Sequence, residues 1–150
     1  MTLQLFTQFY ADNVQGTILF AQKIRNIFNV GDTILLYGEL GSGKTFLIRE
    51  IVKQMGMKNI VSSPSFSILN QYEGDRFTIN HIDLYRIKDS RELSNLGLED
   101  FWQGPYINFI EWPQLLEKYI AWPHYRIEIK TDHKQPTWRK FSLKNVNPGN

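Results

Sequence analysis

The chain has 150 residues, 42% hydrophobic and 21% charged, a composition typical of one globular domain. It contains no cysteine, which excludes disulfide bonds, thiol catalysis and thiolate metal sites, and its net charge of +2 is too small to indicate a concentrated nucleic-acid surface. No apolar run approaches the roughly 20 residues that cross a bilayer, and the first residues lack a secretory signal. We therefore expect a single cytoplasmic domain over residues 1–150.

The first third of the chain predicts a strand, a helix and a second strand. Residues 3–8 partly alternate in polarity, which is typical of an edge strand. Asp12 and Gln15 resemble a capping box before a segment with helical apolar spacing, so we expect a helix there. Residues 32–37 form a short apolar run that predicts a buried strand.

A glycine-rich segment follows this strand, reading Gly-Glu-Leu-Gly-Ser-Gly-Lys-Thr over residues 38–45. It matches the phosphate-loop pattern, and the apolar spacing of residues 46–55 predicts the helix that the pattern requires next. Its backbone N–H groups can form a nest for phosphate oxygens, Lys44 can reach the β- and γ-phosphates, and Thr45 can bind Mg²⁺. The residues expected to contact the nucleotide here are Gly38, Glu39, Leu40, Gly41, Ser42, Gly43, Lys44, Thr45 and Phe46.

The rest of the chain alternates predicted strands with short helices. Strands are expected over residues 67–72, 77–83, 106–110, 125–130 and 137–143, helices over 87–96 and 113–120, and a loose tail over 145–150. The predicted fold is therefore α/β: a P-loop NTPase-type mixed sheet flanked by helices, in a single compact domain. Ligands of such sheets bind at the carboxyl ends of the strands.

Two acids, Asp83 and Glu111, fall where predicted strands end. Asp83 is nearer the loop and shorter, so we expect it to bind Mg²⁺ together with Thr45, while Glu111 orients or deprotonates the attacking water. The two roles can also be exchanged, and either acid can instead be a solvated strand end. The expected catalytic residues are Lys44, Asp83 and Glu111.

Four other residues each allow two interpretations. Ser65 belongs either to a switch-like loop near the γ-phosphate or to an ordinary turn, and Trp112 either stacks on the base or simply packs. His81 is interpreted as a sheet histidine rather than a catalyst. Arg86 either stabilises phosphate charge or is an exposed strand-end arginine.

Basic and aromatic residues alternate near the end of the chain, at Trp138, Arg139, Lys140 and Lys144. We interpret them as the outer face of a strand rather than as an RNA-binding patch. The guanine-specifying Asn-Lys-x-Asp sequence of GTPases is absent from the chain, which favours ATP.

Several motifs together are more specific than the phosphate loop alone. In chain order they are the loop itself, Ser-Pro-Ser-Phe at 63–66, His-Ile-Asp-Leu-Tyr-Arg at 81–86, Glu-Leu at 92–93, Leu-Gly-Leu-Glu-Asp at 96–100 and Ile-Glu-Trp-Pro at 110–113. This set resembles the TsaE (YjeE) family of bacterial ATPases, which serve in making the threonylcarbamoyladenosine modification of tRNA.

The resemblance implies a cytoplasmic ATPase that joins TsaB and TsaD. TsaD transfers threonylcarbamoyl to adenosine 37 of tRNAs that read ANN codons, and ATP hydrolysis resets the complex for further turnovers, with contact to tRNA expected to be indirect. By resemblance, Lys44 and the loop bind phosphates, Thr45 and Asp83 serve Mg²⁺, Glu111 is a site acid and Trp112 lies near the nucleotide. Ser65 departs from the threonine that is usual in the family, which leaves the positioning of its hydroxyl open.

Two other functions remain open from the sequence. A small-molecule P-loop kinase would need an arginine-bearing lid and an acceptor pocket, and no clear lid is evident. A nucleotide-gated binding module would bind ATP without hydrolysing it. For the ATPase, we expect slow hydrolysis by the isolated chain, because no arginine is positioned by the sequence as a finger.

Overall fold

The computed structural model describes residues 1–62 and 68–149. Its strands and α-helices, in chain order, are β1 (Thr2–Ala11), α1 (Val14–Ile24), β2 (Thr33–Tyr37), α2 (Lys44–Gln54), β3 (Asn59–Ser62), β4 (Leu69–Glu73), β5 (Thr78–Asp83), α3 (Ser90–Ser94), β6 (Tyr106–Glu111), β7 (His124–Asp132) and β8 (Gln135–Asn147). Short 3₁₀ turns occur at Leu98–Phe101, Pro113–Leu115 and Glu117–Tyr119. Within this part of the chain, no helix is long and apolar enough to cross a membrane.

The described strands form one mixed sheet in the order β1-β8-β7-β2-β6-β5-β4-β3. Strand β2 lies parallel to both β6 and β7, and β5 lies parallel to β6, whereas the outer strands pair antiparallel. In this register Glu111 is opposite both Leu36 and Asp83. The carboxyl ends of β2, β5 and β6 therefore meet at one edge of the sheet, where the glycine-rich loop leaves β2.

Alternate residues of the central strands enter two apolar clusters, one on each face of the sheet. Ile34 and Leu36 of β2 pack with Phe20 of α1 and Ile48 of α2. Leu35 packs on the other face with side chains of α3 and the 3₁₀ turns. The four side chains named in the first cluster are fully buried. Their burial fixes α2 against the sheet and so positions the loop that precedes it.

The predicted fold class is confirmed as a single α/β domain with a mixed sheet and flanking helices. Several predicted boundaries were wrong. Asn13, not Asp12, caps α1, because its side chain accepts a hydrogen bond from the Gly16 N–H. The helix predicted over residues 113–120 is instead two 3₁₀ turns, and strand β3 was missed.

The loose tail predicted over residues 145–150 was also wrong in part, because residues 145–147 belong to β8. Asn145, Val146 and Asn147 pair with residues of β1, and Val146 also pairs with His124 of β7. A polar segment is ordered here because its backbone groups find partners on neighbouring strands, and because the Val146 side chain is buried.

Candidate nucleotide-binding site

The phosphate loop connects the end of β2 at Tyr37 to the start of α2 at Lys44. Gly41 and Gly43 have φ angles of 81° and 103°, in the left-handed region that side chains other than glycine rarely adopt. The loop is thus able to turn sharply and deliver the chain into the first turn of α2. The N–H groups at the first turn of α2 and the positive end of its dipole make this an anion-binding position.

Lys44 is the first residue of α2 and is buried within the loop. Its Nζ atom donates hydrogen bonds to the carbonyl oxygens of Gly38, at 2.5 Å, and Glu39, at 3.1 Å. Burial lowers the pKa of the Lys44 ammonium, while the nearby carboxylates of Glu111 and Asp83 act in the opposite direction. The ammonium therefore lies on the concave side of the loop with two acids beside it.

Glu111 connects the loop helix to the neighbouring strand β5. The hydroxyl of Thr45 donates to Glu111 Oε2 at 2.7 Å, and His81 Nε2 lies 2.5 Å from the same oxygen. Burial by itself would raise the pKa of the Glu111 carboxyl, but the hydrogen bonds from His81 and Thr45, with the charges of His81 and Lys44, hold it below its usual value. Because an ionised carboxylate only accepts, we assign the donated proton to His81 Nε2.

Asp83 ends β5 directly opposite Glu111 in the sheet register. Its Oδ1 atom accepts a hydrogen bond from the Tyr85 N–H at 3.0 Å. Burial, helped by the negative charge of Glu111, raises the pKa of Asp83, although the hydrogen bond from Tyr85 opposes that rise. The two acids at this edge therefore have pKa values that are shifted in opposite directions.

Trp112 has φ 55°, and within the described residues it is the one residue other than glycine with a positive φ. The Lys44 ammonium lies over its ring, 4.0 Å from the ring centroid, and the ring centroid of Tyr85 is 4.9 Å away. A bulky residue in the left-handed region is strained by about 1–3 kcal/mol, a strain found mainly at functional sites. The conformation turns the chain so that this ring covers Lys44.

These side chains line a single cleft of about 260 Å³. The cleft is lined by Leu40, Gly41, Gly43, Lys44, Thr45, Phe46, Asp83, Tyr85, Glu111 and Trp112. A larger cleft of about 380 Å³ lies at the opposite end of the sheet, near Asp32 and His124, and its lining contains no residue of the phosphate loop. We therefore assign the candidate site to the smaller cleft, where the chemistry converges.

The oxygen atoms in the cleft fit Mg²⁺ bound together with phosphates. Within the residues that the structure describes, no group of three His, Cys, Asp or Glu side chains is arranged to hold a metal by itself. Mg²⁺ sites on nucleotides usually need only one or two carboxylates, with phosphate oxygens and water completing the octahedron. The Thr45 hydroxyl and the Glu111 carboxylate, 2.7 Å apart, and Asp83 in the same cleft supply this kind of oxygen set.

Most of the predicted site residues come together at this edge. Gly38 and Glu39 contribute carbonyl oxygens to Lys44, and Ser42 is a buried residue of the loop. Arg86 does not line this cleft but lines an adjoining one with Asp83. Ser65 lies outside the described residues.

Two features of the site were not predicted. His81 is a buried sheet residue, as interpreted, but it also contacts the site acid Glu111 directly. Arg139 was interpreted as part of an outer strand face, whereas its guanidinium group contacts the phosphate loop. His81 and Asp83 are two residues apart on one strand and so share a face, which was a usable signal for the contact between His81 and the site. Nothing local in the sequence indicates the contact between Arg139 and the loop.

The sequence matches the family model described as Threonylcarbamoyl adenosine biosynthesis protein TsaE over residues 11–141. It is similar to proteins named tRNA threonylcarbamoyladenosine biosynthesis protein TsaE from several bacteria. The Rickettsia prowazekii protein is 39% identical over 113 residues, which is 75% of each chain. The Bacillus subtilis protein is 34% identical over 118 residues, covering 79% of this chain and 73% of that protein.

The fold of the chain is similar to that of a solved structure. The crystal structure of Bacillus subtilis YdiB superposes with a TM-score of 0.74 and covers 98% of this chain and 89% of that one. The two sequences are 21% identical in this superposition, so it bears on the architecture alone.

Proposed function

The chain belongs to the TsaE family and takes part in tRNA threonylcarbamoyladenosine biosynthesis, and we propose that it does so as an ATP-hydrolysing subunit. In this proposal it acts in the cytoplasm in complex with TsaB and TsaD. ATP hydrolysis supports repeated formation of the threonylcarbamoyl modification at adenosine 37 of tRNAs that read ANN codons. The chain does not carry out the transfer itself, and its contact with tRNA is indirect.

The observation that carries the ATPase proposal is the contact between Thr45 and Glu111 beside Lys44. A phosphate loop, a lysine at its centre and a hydroxyl bonded to a strand-end carboxylate are the parts that P-loop ATPases use. Two of the three N–H donors of the Lys44 ammonium are bonded to the Gly38 and Glu39 carbonyl oxygens, and the third can donate to a phosphate oxygen. Magnesium, when bound, would neutralise charge on the phosphate oxygens.

The sequence favoured Asp83 as the magnesium ligand and Glu111 as the residue that acts on water, but the geometry favours the reverse assignment. Glu111 is in hydrogen-bond contact with Thr45, and its lowered pKa keeps it ionised, so we assign it to the magnesium side of the site. Asp83 lies opposite with a raised pKa, which suits a group that orients a water molecule and accepts its proton. His81 holds the Glu111 carboxylate in place from the far side.

ATP is favoured over GTP because the guanine-specifying sequence is absent. The rings of Trp112 and Tyr85 line the same cleft as the loop and offer apolar surface to a nucleotide base. Among the described residues that line this cleft, Lys44 is the one cation and none is an arginine. An arginine finger is worth roughly 10³–10⁵ in rate, so we propose that the isolated chain hydrolyses ATP slowly and that its partners accelerate it.

Phosphate release from Mg²⁺-ATP tests this proposal. We expect slow release by the chain alone, a clear increase when TsaB and TsaD are added, and loss of both activities in Lys44→Ala. Lys53→Ala is the matched control, because Lys53 is an exposed lysine in the last turn of the same helix and should keep full activity.

Three other results would contradict the proposal. Equal turnover with and without the partners would argue against a partner-dependent ATPase. Phosphate transfer to a small metabolite would identify a kinase. ATP binding without turnover under every condition would identify a nucleotide-gated binding module.

A further inference from the structure

Arg139 of β8 contacts the phosphate loop from the side of the antiparallel strands. Its Nε atom donates to the Ser42 carbonyl oxygen at 2.8 Å, and its Nη2 atom lies 3.4 Å from the Gly41 carbonyl oxygen. The remaining Nη1 atom donates to the carbonyl oxygens of Pro136, at 2.7 Å, and Trp138, at 2.8 Å. The guanidinium group is therefore fixed by its own strand and presents its other edge to the loop.

The position of Arg139 is set by the sheet rather than by the loop. Arg139 pairs with Ala11 of β1 on one side and with Thr131 of β7 on the other. The contact joins residues that are 97 and 98 positions apart in the chain. The antiparallel half of the sheet thus supports a loop that belongs to its parallel half.

The bond from Arg139 to the Ser42 carbonyl group bears on the direction of one loop amide. In a trans peptide unit the C=O and N–H groups point in opposite directions, and the described residues contain no cis peptide. The carbonyl of Ser42 shares its peptide unit with the N–H of Gly43, which lines the nucleotide cleft. A bond from Arg139 to the Ser42 carbonyl therefore directs the Gly43 N–H away from Arg139.

The glycines make such a constraint necessary. Gly41 and Gly43 flank Ser42, and both have positive φ angles, so the peptide units between them are bordered by residues with little steric restriction. Reversal of the Ser42–Gly43 peptide unit would turn a carbonyl oxygen, rather than an N–H group, toward a bound phosphate. A charge-assisted hydrogen bond to the Ser42 carbonyl disfavours that reversal.

We propose that Arg139 is a positioning residue for phosphate binding, which acts by holding the Ser42–Gly43 peptide unit with its N–H group directed into the nucleotide cleft. This inference rests on the proposed nucleotide site. Lys44 and Arg139 then have separate roles: Lys44 contacts the phosphate directly, whereas Arg139 bonds to loop carbonyl groups and acts on the phosphate through the Gly43 N–H. The ligand class is a nucleoside di- or triphosphate.

The test compares Arg139→Ala, Arg139→Lys and Arg25→Ala with the wild-type protein. Arg25 is the matched control, because its guanidinium group also donates to a backbone carbonyl, that of Gln54, but at the far end of α2. Affinity for a fluorescent ADP derivative and the amide hydrogen-exchange rates of Ser42 and Gly43 are measured for each variant. Urea unfolding of each variant reports its stability separately.

We expect Arg139→Ala to bind ADP about tenfold more weakly, since charged hydrogen bonds of this type are worth about that factor, and to exchange the Gly43 amide faster than wild type in saturating ADP, where this N–H would donate to phosphate. Arg139→Lys should recover only part of the affinity, because an ammonium lacks the planar fork that reaches both carbonyls. Arg25→Ala should keep wild-type affinity even if it loses stability.

Unchanged ADP affinity in a folded Arg139→Ala or Arg139→Lys protein would overturn the inference. Equal loss of affinity in Arg25→Ala would overturn it as well, because the effect would then follow stability alone. If Arg139→Ala does not fold, Arg139→Lys decides between these outcomes. Absence of ADP binding by the wild-type protein would instead contradict the proposed nucleotide site.

Discussion

The two acids of the site, Glu111 and Asp83, differ in the hydrogen bonds that their carboxylate oxygens accept. Glu111 Oε2 receives hydrogen bonds from both Thr45 and His81, whereas Asp83 receives one backbone hydrogen bond in the same cleft. Two acids that are opposite each other in the sheet are therefore different in chemistry. The first is kept ionised, and the second is made a better proton acceptor than an ordinary aspartate.

This difference predicts that neutralising Glu111 lowers stability at pH 7, whereas neutralising Asp83 does not. The folded-state pKa of Glu111 is below its usual value, so its charge stabilises the fold above the unfolded-state pKa, and this contribution is lost as the pH falls through the folded-state value. We therefore expect Glu111→Gln to unfold at lower urea concentration than wild type at pH 7, by a margin that shrinks as the pH falls below the ordinary pKa of glutamate.

Asp83→Asn is the matched control for this measurement. The folded-state pKa of Asp83 is raised, so its contribution to stability is present at low pH and is lost as the pH rises. Asp83→Asn should therefore not lower stability at pH 7. Equal destabilisation by both substitutions at pH 7, or a Glu111→Gln margin that does not depend on pH, would contradict the assignment.

At the scale of elements, the parts that could be predicted are those that depend on neighbouring residues. The strand, glycine loop and helix from β2 to α2 follow from local composition and apolar spacing, and so do the acids at the ends of β5 and β6. The order of the strands depends on pairing between distant residues. For this reason the sequence did not predict that Arg139 reaches the loop or that Val146 is buried.

The end of β8 allows a test at this scale. Ending the chain after Lys144 removes the buried Val146 side chain and the pairing of residues 145–147 with β1, and we expect a loss of about 2 kcal/mol or more of unfolding free energy. Ending it after Asn147 removes no residue of β8 and should leave stability nearly unchanged. Urea unfolding measures the unfolding free energy of each truncated protein. Equal values for the two would show that residues 145–147 do not contribute to stability.

At the scale of the whole molecule, the proposed ATP site is a cleft that contains the phosphate loop and two acids, and none of the described residues that line it is an arginine. The chain belongs to a family that serves tRNA threonylcarbamoyladenosine biosynthesis, in which the proposed partners are TsaB and TsaD. A slow ATPase that is accelerated in its complex fits both observations. We therefore propose that ATP hydrolysis at this loop permits repeated rounds of tRNA modification.

The most direct test is a reconstituted modification reaction with tRNA in large excess over TsaB and TsaD, supplied with the threonylcarbamoyl donor. We predict that the wild-type chain with ATP supports many modified tRNA molecules per complex, whereas Lys44→Ala yields about one per complex or fewer. Lys53→Ala should match wild type. Many rounds of modification with Lys44→Ala, at the wild-type rate, would contradict the account.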